Sequence, residues 1–195
     1  MTQCNRPIDE FLRSISCSEA EIREYINLPR YQDALIKDLK KWGEICSSLD
    51  LIGDTAFAIH SYFSSPYPDD LGIRYVILYG ILQTLFLQQD ATEHLFHALE
   101  LDYQRAPELI EIREIRNYAV GHPSRRERKH PDRGRSDRLS FHSHIARISI
   151  SQFNFKLAIY DSDGNSKYDD VNLLHQIKIQ LQIIAKNLEE LKHHI

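Results

Sequence analysis

Apolar residues recur every three or four positions through most of this chain, but between Ile148 and Ile159 they recur at every second position. The first period predicts helices. Ser18 opens a Ser-Glu-Ala-Glu capping box, which predicts a short helix from Ser18 to about Asn27, and Pro29 breaks it. Leu35, Ile36, Leu39 and Trp42 continue the period from Tyr31 to Ser47, and Leu51, Ile52, Ala56, Ile59 and Phe63 carry it from Leu49 to Phe63. Ser64-Ser65-Pro66-Tyr67-Pro68 is a connector, and Asp69 and Asp70 favour a new helix start. The helix that follows, to about Gln89, is apolar on nearly every side and is expected at the centre of the fold. Further helices are predicted from Ala91 to Leu101 and from Pro107 to about Val120, with Pro107 in a first-turn position.

The second period predicts strands. Ile148 and Ile150 alternate with Arg147, Ser149 and Ser151, and the apolar phase then shifts at Gln152 to Phe153, Phe155, Leu157 and Ile159. The shift requires a turn or bulge, and Asp161-Ser162-Asp163-Gly164-Asn165 is a second turn. From Asp170 the helical period returns as a heptad seam of Leu174, Ile177, Leu181, Ile184, Leu188, Leu191 and Ile195. The fold class is therefore mainly α, a helical bundle with a small antiparallel β insertion before the last helix.

A chain of 195 residues with few glycines and prolines suits one domain over 1–195, with a basic loop at about 123–138 and a β-ribbon at about 139–169 as its insertion. Net charge is −4, which by itself excludes nothing. Its distribution says more. From Pro123 to Arg138 seven basic residues face three acids, +4 locally, so −8 falls on the remainder. A positive patch on an acidic body suits a polyanion held at one place, whereas the bland use of such a run is a solvated loop. Cys4, Cys17 and Cys46 form no Cys-x-x-Cys pattern and suit a reducing compartment. No secretory leader is visible, and the most apolar run, Tyr75 to Leu87, is too short to span a bilayer, so a cytoplasmic protein with no membrane partner is expected.

The candidate chemistry lies at the end of the Pro107 helix, in Ile115-Arg116-Asn117-Tyr118-Ala119-Val120-Gly121-His122-Pro123. At about 100° per residue, Leu109, Ile112, Ala119 and Val120 share a face with Arg116 near its middle. An inward guanidinium needs a carboxylate, a phosphate or a shared wet interface, and Glu108, Glu111 and Glu114 project mainly to other faces. Gly121 is expected to end the helix in the left-handed conformation, with Pro123 completing the stop. His122 then follows directly, where unpaired carbonyls collect. Arginine and histidine are ordinary near helix ends, and most such pairs do nothing chemical; the inward phase of Arg116 sets this one apart. His122, His130, His142 and His144 are a second candidate set, for a metal, but without cysteines or a tight second pair no metal or other cofactor is expected. His193 and His194 are expected in solvent.

Arg116-Asn117 followed after a short spacer by His122, at a helix end in a helical core, resembles the Arg-x(4–6)-His motif of the HEPN (higher eukaryotes and prokaryotes nucleotide-binding) superfamily. The resemblance implies a helical bundle, commonly dimeric, and in many members a metal-independent endoribonuclease acting as a toxin or antiphage effector. It names Arg116, His122 and Asn117 as the catalytic set, RNA as the substrate, a homodimer, and an antitoxin or other regulatory protein as a candidate partner. Toxins paired with a nucleotidyltransferase antitoxin carry a tyrosine two positions after the histidine; Ser124 stands there, so that modification is not expected. His122 can act as acid or base, Arg116 can hold phosphoryl oxygens, and Asn117 can orient the cleft or a phosphate, while Arg125, Arg126, Arg128 and Lys129 can gather the RNA backbone. In-line transfer needs acid and base on opposite sides, which one histidine does not supply; a two-fold pair would. The competing reading is a non-catalytic module of the same kind that binds nucleic acid, a nucleotide or a partner protein.

Overall fold

The computed structural model describes residues 6–129 and 138–194; most of the expected basic loop, including His130, Arg133 and Arg135, lies outside them, as does Ile195. The architecture is mainly helical: α1 (Arg6–Ile26), α2 (Pro29–Leu35), α3 (Leu39–Ser64), α4 (Leu71–Ala98), α5 (Pro107–Arg116) and α6 (Leu173–Lys192). Four strands precede α6, β1 (Arg126–Lys129), β2 (Arg138–Ile145), β3 (Asn154–Asp161) and β4 (Ser166–Asn172). They form one antiparallel meander in the order β1-β2-β3-β4.

The chain divides into two compact units. The first takes the described residues of Met1–Pro66, Thr84–Ile110 and Ile177–Ile195, and the second takes Tyr67–Gln83 and Glu111–Gln176.

In the first unit the expected seam of the last helix holds from Ile177 onward, since Ile177, Leu181, Ile184, Leu188 and Leu191 are all fully buried, whereas at its start Leu173 is buried and the expected Leu174 only half-buried. Each such side chain contributes about 1.5–3 kcal/mol by leaving water. The helix begins at Leu173 rather than Asp170, because Asp170 to Asn172 still pair in β4 and Asn172 Oδ1 accepts the His175 N–H. The capping box at Ser18 does not form. Ile8, Leu12, Ile15, Ile22 and Ile26 keep one apolar face through that point, so α1 is continuous and Ser18 is buried with its hydroxyl on Glu189. Conversely, the expected Tyr31–Ser47 helix is broken, because Asp38 Oδ1 caps α3 by accepting from the Lys40 and Lys41 N–H groups. The helices expected to meet near Asp90 are the single α4, whose buried Gln88, Gln89 and Thr92 belong to a polar network with Gln180.

At 28 residues α4 is, among the described residues, the one helix long and apolar enough to cross a membrane by length and composition, so the expected short run is an underestimate. Nor is its first half a central helix. Ile73 is 51% and Val76 71% exposed, and Gly80 is exposed on the same face.

In the second unit Phe155, Leu157 and Val171 form the buried sheet face, as the period-two pattern predicts for β3. The Asp161–Asn165 turn is present, with Gly164 at φ +87° and Asp161 Oδ1 accepting from the Asp163 and Asn165 N–H groups. Two expectations need correction. Arg147–Ser149 is a 3-10 turn rather than a strand, and it leaves Ile148 fully exposed. The expected loop at 123–138 contains β1, so the sheet starts earlier than 139; Ser143 N–H to Pro123 O, at 2.7 Å, continues the β1–β2 pairing back toward the motif.

Candidate active site

The motif helix does not run regularly to Val120. α5 ends at Arg116 and Asn117–Gly121 follow as a π turn, closed by the His122 N–H donating to Asn117 O over 2.9 Å. A widened turn of this kind is rare and frequently occurs at functional sites. Ser143 holds it in place: this buried residue of β2 donates its hydroxyl to Tyr118 O at 2.5 Å while its N–H reaches Pro123 O. The segment carrying Arg116 and His122 is thus bracketed on both sides by one sheet residue.

Arg116 is half-buried, and its guanidinium is clamped by neutral oxygens. Nε and Nη2 both donate to Gln83 Oε1, at 3.1 and 2.7 Å, and Nη1 donates to Asn117 Oδ1 at 3.1 Å. These two amide oxygens fix the direction of the planar fork. Gly121 is part of the same arrangement, though not as a left-handed stop: Gly164 is the glycine with positive φ among the described residues. Its value is space. A Cβ at 121 would lie 2.6 Å from Arg116 Nη1 and 3.2 Å from Asn117 Oδ1. His122, next in the chain, is exposed, at φ −141° and ψ 53°. One short segment therefore combines an oriented cation with a solvent-facing imidazole.

No family model, curated protein or solved structure matches the chain. The reading of its function rests on the geometry and chemistry of this segment.

The expected RNA-binding residues divide. Arg125 is exposed and donates from Nε and Nη2 to Glu127 Oε1. Arg126 makes a two-pronged pair with Glu114, Nη1 to Oε2 at 2.7 Å and Nη2 to Oε1 at 2.8 Å, and stacks over the Tyr118 ring at 5.0 Å. That bidentate pair commits one N–H of each terminal nitrogen to the carboxylate. Arg128 and Lys129 lie in β1, and their side chains fall outside the described residues. Of the histidines weighed for a metal, His142 and His144 are exposed on β2 and His144 stacks on Tyr160; among the described residues no group of three or more His, Cys, Asp or Glu is placed to hold an ion.

Sequence reasoning missed Gln83, Ser143 and the spatial role of Gly121. Gln83 left a signal, as the polar residue of an otherwise apolar run, whereas Ser143 left none.

Two cavities flank the segment within this unit. One, about 470 Å³, lies between α5 and the sheet; Tyr118, Phe141 and Leu157 line it together with the carboxylates Glu111, Glu114, Asp161 and Asp169. The other, about 860 Å³, is lined by Leu71, Gly72, Tyr75, Tyr79, Ala119, Pro123 and Ser143–Arg147, with no carboxylate among them.

Proposed function

We propose that this protein is a metal-independent endoribonuclease of the HEPN type, a cytoplasmic toxin or antiphage effector. The observation that carries the reading is the Arg116 guanidinium, fixed by Gln83 and Asn117 against Gly121, one residue from an exposed His122. In this reaction the ribose 2′-OH loses its proton and attacks the adjacent phosphorus. The 5′ oxygen leaves with a proton, giving a 2′,3′-cyclic phosphate and a 5′-hydroxyl. Arg116 stabilises the phosphorane through its forked donors, and a histidine handles each proton.

A second copy supplies a second His122. The exposed face of α4 supports that pairing: Ile73, Val76, Gly80 and Gln83 recur at 3-4-3 spacing, so the apolar stripe leads directly to the residue that clamps Arg116. Gly80 has open space where a Cβ would stand, which suits close approach of a second helix. A two-fold contact along this stripe brings two Arg116–His122 segments into one cleft. The Val76→Glu variant is then a monomer without cleavage activity.

The test is cleavage of a mixed, end-labelled RNA pool in EDTA by the wild-type protein and by folded Arg116→Ala and His122→Ala variants. Scission lost in both variants supports the ribonuclease. No scission, or equal scission by all three, favours a non-catalytic module, and a wild-type protein that remains monomeric and fully active overturns the shared site.

A further inference from the structure

Of the residues expected to gather RNA, Arg125 and Arg126 already engage the carboxylates of Glu127 and Glu114. The two cavities beside the motif differ sharply in what they would accept. Four carboxylates and one lysine, Lys167, line the α5–sheet cavity, a net negative lining that disfavours a phosphodiester. The larger groove has the opposite character. Its lining includes Tyr75 and Tyr79, with ring centroids 5.6 Å apart, and the exposed Arg147 and His144. Among the described residues no ion pair involves Arg147.

We propose that this groove is the binding subsite for single-stranded RNA, holding a nucleotide that flanks the scissile phosphate, with its base against Tyr75 and Tyr79 and its phosphate on Arg147.

Size, charge and position agree. At about 860 Å³ the groove falls in the ~300–1,000 Å³ range of sites for small organic ligands. Aromatic rings beside a cation are what sequence-tolerant binding of single strands requires, because every base has a face to stack and every nucleotide a charge to neutralise. Ala119 and Pro123 belong to the wall, and Pro123 directly follows His122 in the chain. Its shape is also braced: Tyr75 donates its hydroxyl to Ile145 O at 3.3 Å, and the Ser143 N–H meets Pro123 O. The inference rests on RNA being the substrate and assigns its binding to α4 and the turn after β2 rather than to Arg125 and Arg126.

The experiment is fluorescence anisotropy of a labelled single-stranded RNA in EDTA, over a salt series, with His122→Ala as the uncleaving background. Into it are placed Arg147→Gln, Tyr79→Leu and, for contrast, Arg125→Gln, each checked for unchanged thermal unfolding. Loss of one stacked base weakens binding about tenfold in Tyr79→Leu. Arg147→Gln lowers the slope of log K against log salt by about 0.7, the value for one phosphate on a single strand, and Arg125→Gln changes neither. Equal affinity and slope in Arg147→Gln and Tyr79→Leu overturn the proposal, as does absence of RNA binding. The two readings separate cleanly: cleavage by the wild type with unaltered binding in the groove variants refutes the groove alone, whereas groove-dependent binding without wild-type cleavage refutes the nuclease alone.

Discussion

Replacing Gly121 with alanine is the sharpest single perturbation of the site, because the methyl would enter space that the Arg116 guanidinium fills. The added carbon would stand 2.6 Å from Nη1 and 3.4 Å from Cζ. The first distance is about 1 Å inside the ~3.5–4.0 Å optimum for heavy-atom contact. A guanidinium on a flexible stem can swing clear, so the fold survives, but only by leaving Gln83 and Asn117. Each of those bonds is worth roughly 0.5–1.5 kcal/mol net. The stiffer unfolded chain returns about 0.4–1 kcal/mol, since the backbone at 121 lacks a positive φ. With three such bonds lost, the folding balance therefore moves by about 0.5–4 kcal/mol. Catalysis does not share that tolerance: loss of an aligned donor to the phosphorane costs about 10²–10³ in rate. Thermal unfolding combined with single-turnover RNA cleavage measures both quantities on one preparation. A folded Gly121→Ala protein cleaving at the wild-type rate refutes the claim that the guanidinium's position matters.

Three further outcomes test the surrounding structure. Gln180→Leu removes the partner of Gln89 Nε2 and Gln88 Oε1 in a fully buried network, and denaturant unfolding should show a loss of about 2–4 kcal/mol; a neutral result contradicts the network. Gly164→Ala places a side chain at φ +87°, costing about 1–2 kcal/mol without affecting RNA cleavage, so a change in cleavage rate would connect the β3–β4 turn to the site unexpectedly. The side-chain amide of Asn165, helped by backbone N–H groups of the same turn, holds the Asp161 carboxyl below the usual carboxylate range. Its contribution to the turn is therefore complete above the ordinary aspartate value and disappears as pH falls through the lowered one; carboxyl-carbon NMR titration checks this, and an Asp161 midpoint at or above the ordinary value contradicts it.

The helical character and the late sheet were legible because period reports burial directly: the α6 seam and the β3 face are both found where the pattern puts them. β1 was hidden because its residues, Arg-Glu-Arg-Lys, are held by backbone pairing while carrying no apolar alternation, whereas β2 falls within the ribbon expected at about 139–169. Ile148 misled for the opposite reason, an isoleucine in phase with Ile150 but placed in an exposed turn. Arg116 and His122 were visible as residue types at a helix end. What the guanidinium touches was not, since Gln83 lies on another helix and joins it only through packing. Nor could sequence separate a glycine chosen for conformation from one chosen for space, and Gly121 is the second kind.

The most direct test of the central claim uses two RNA oligonucleotides that differ only at the principal cleavage position, one all-ribose and one with a single 2′-deoxyribose there, each incubated in EDTA with the wild-type protein. The account predicts that the first is cut to a 2′,3′-cyclic phosphate and a 5′-hydroxyl and that the second stays intact at that bond. Cutting of the deoxy-substituted bond, or 5′-phosphate ends, would contradict 2′-OH attack and with it the roles assigned to Arg116 and His122.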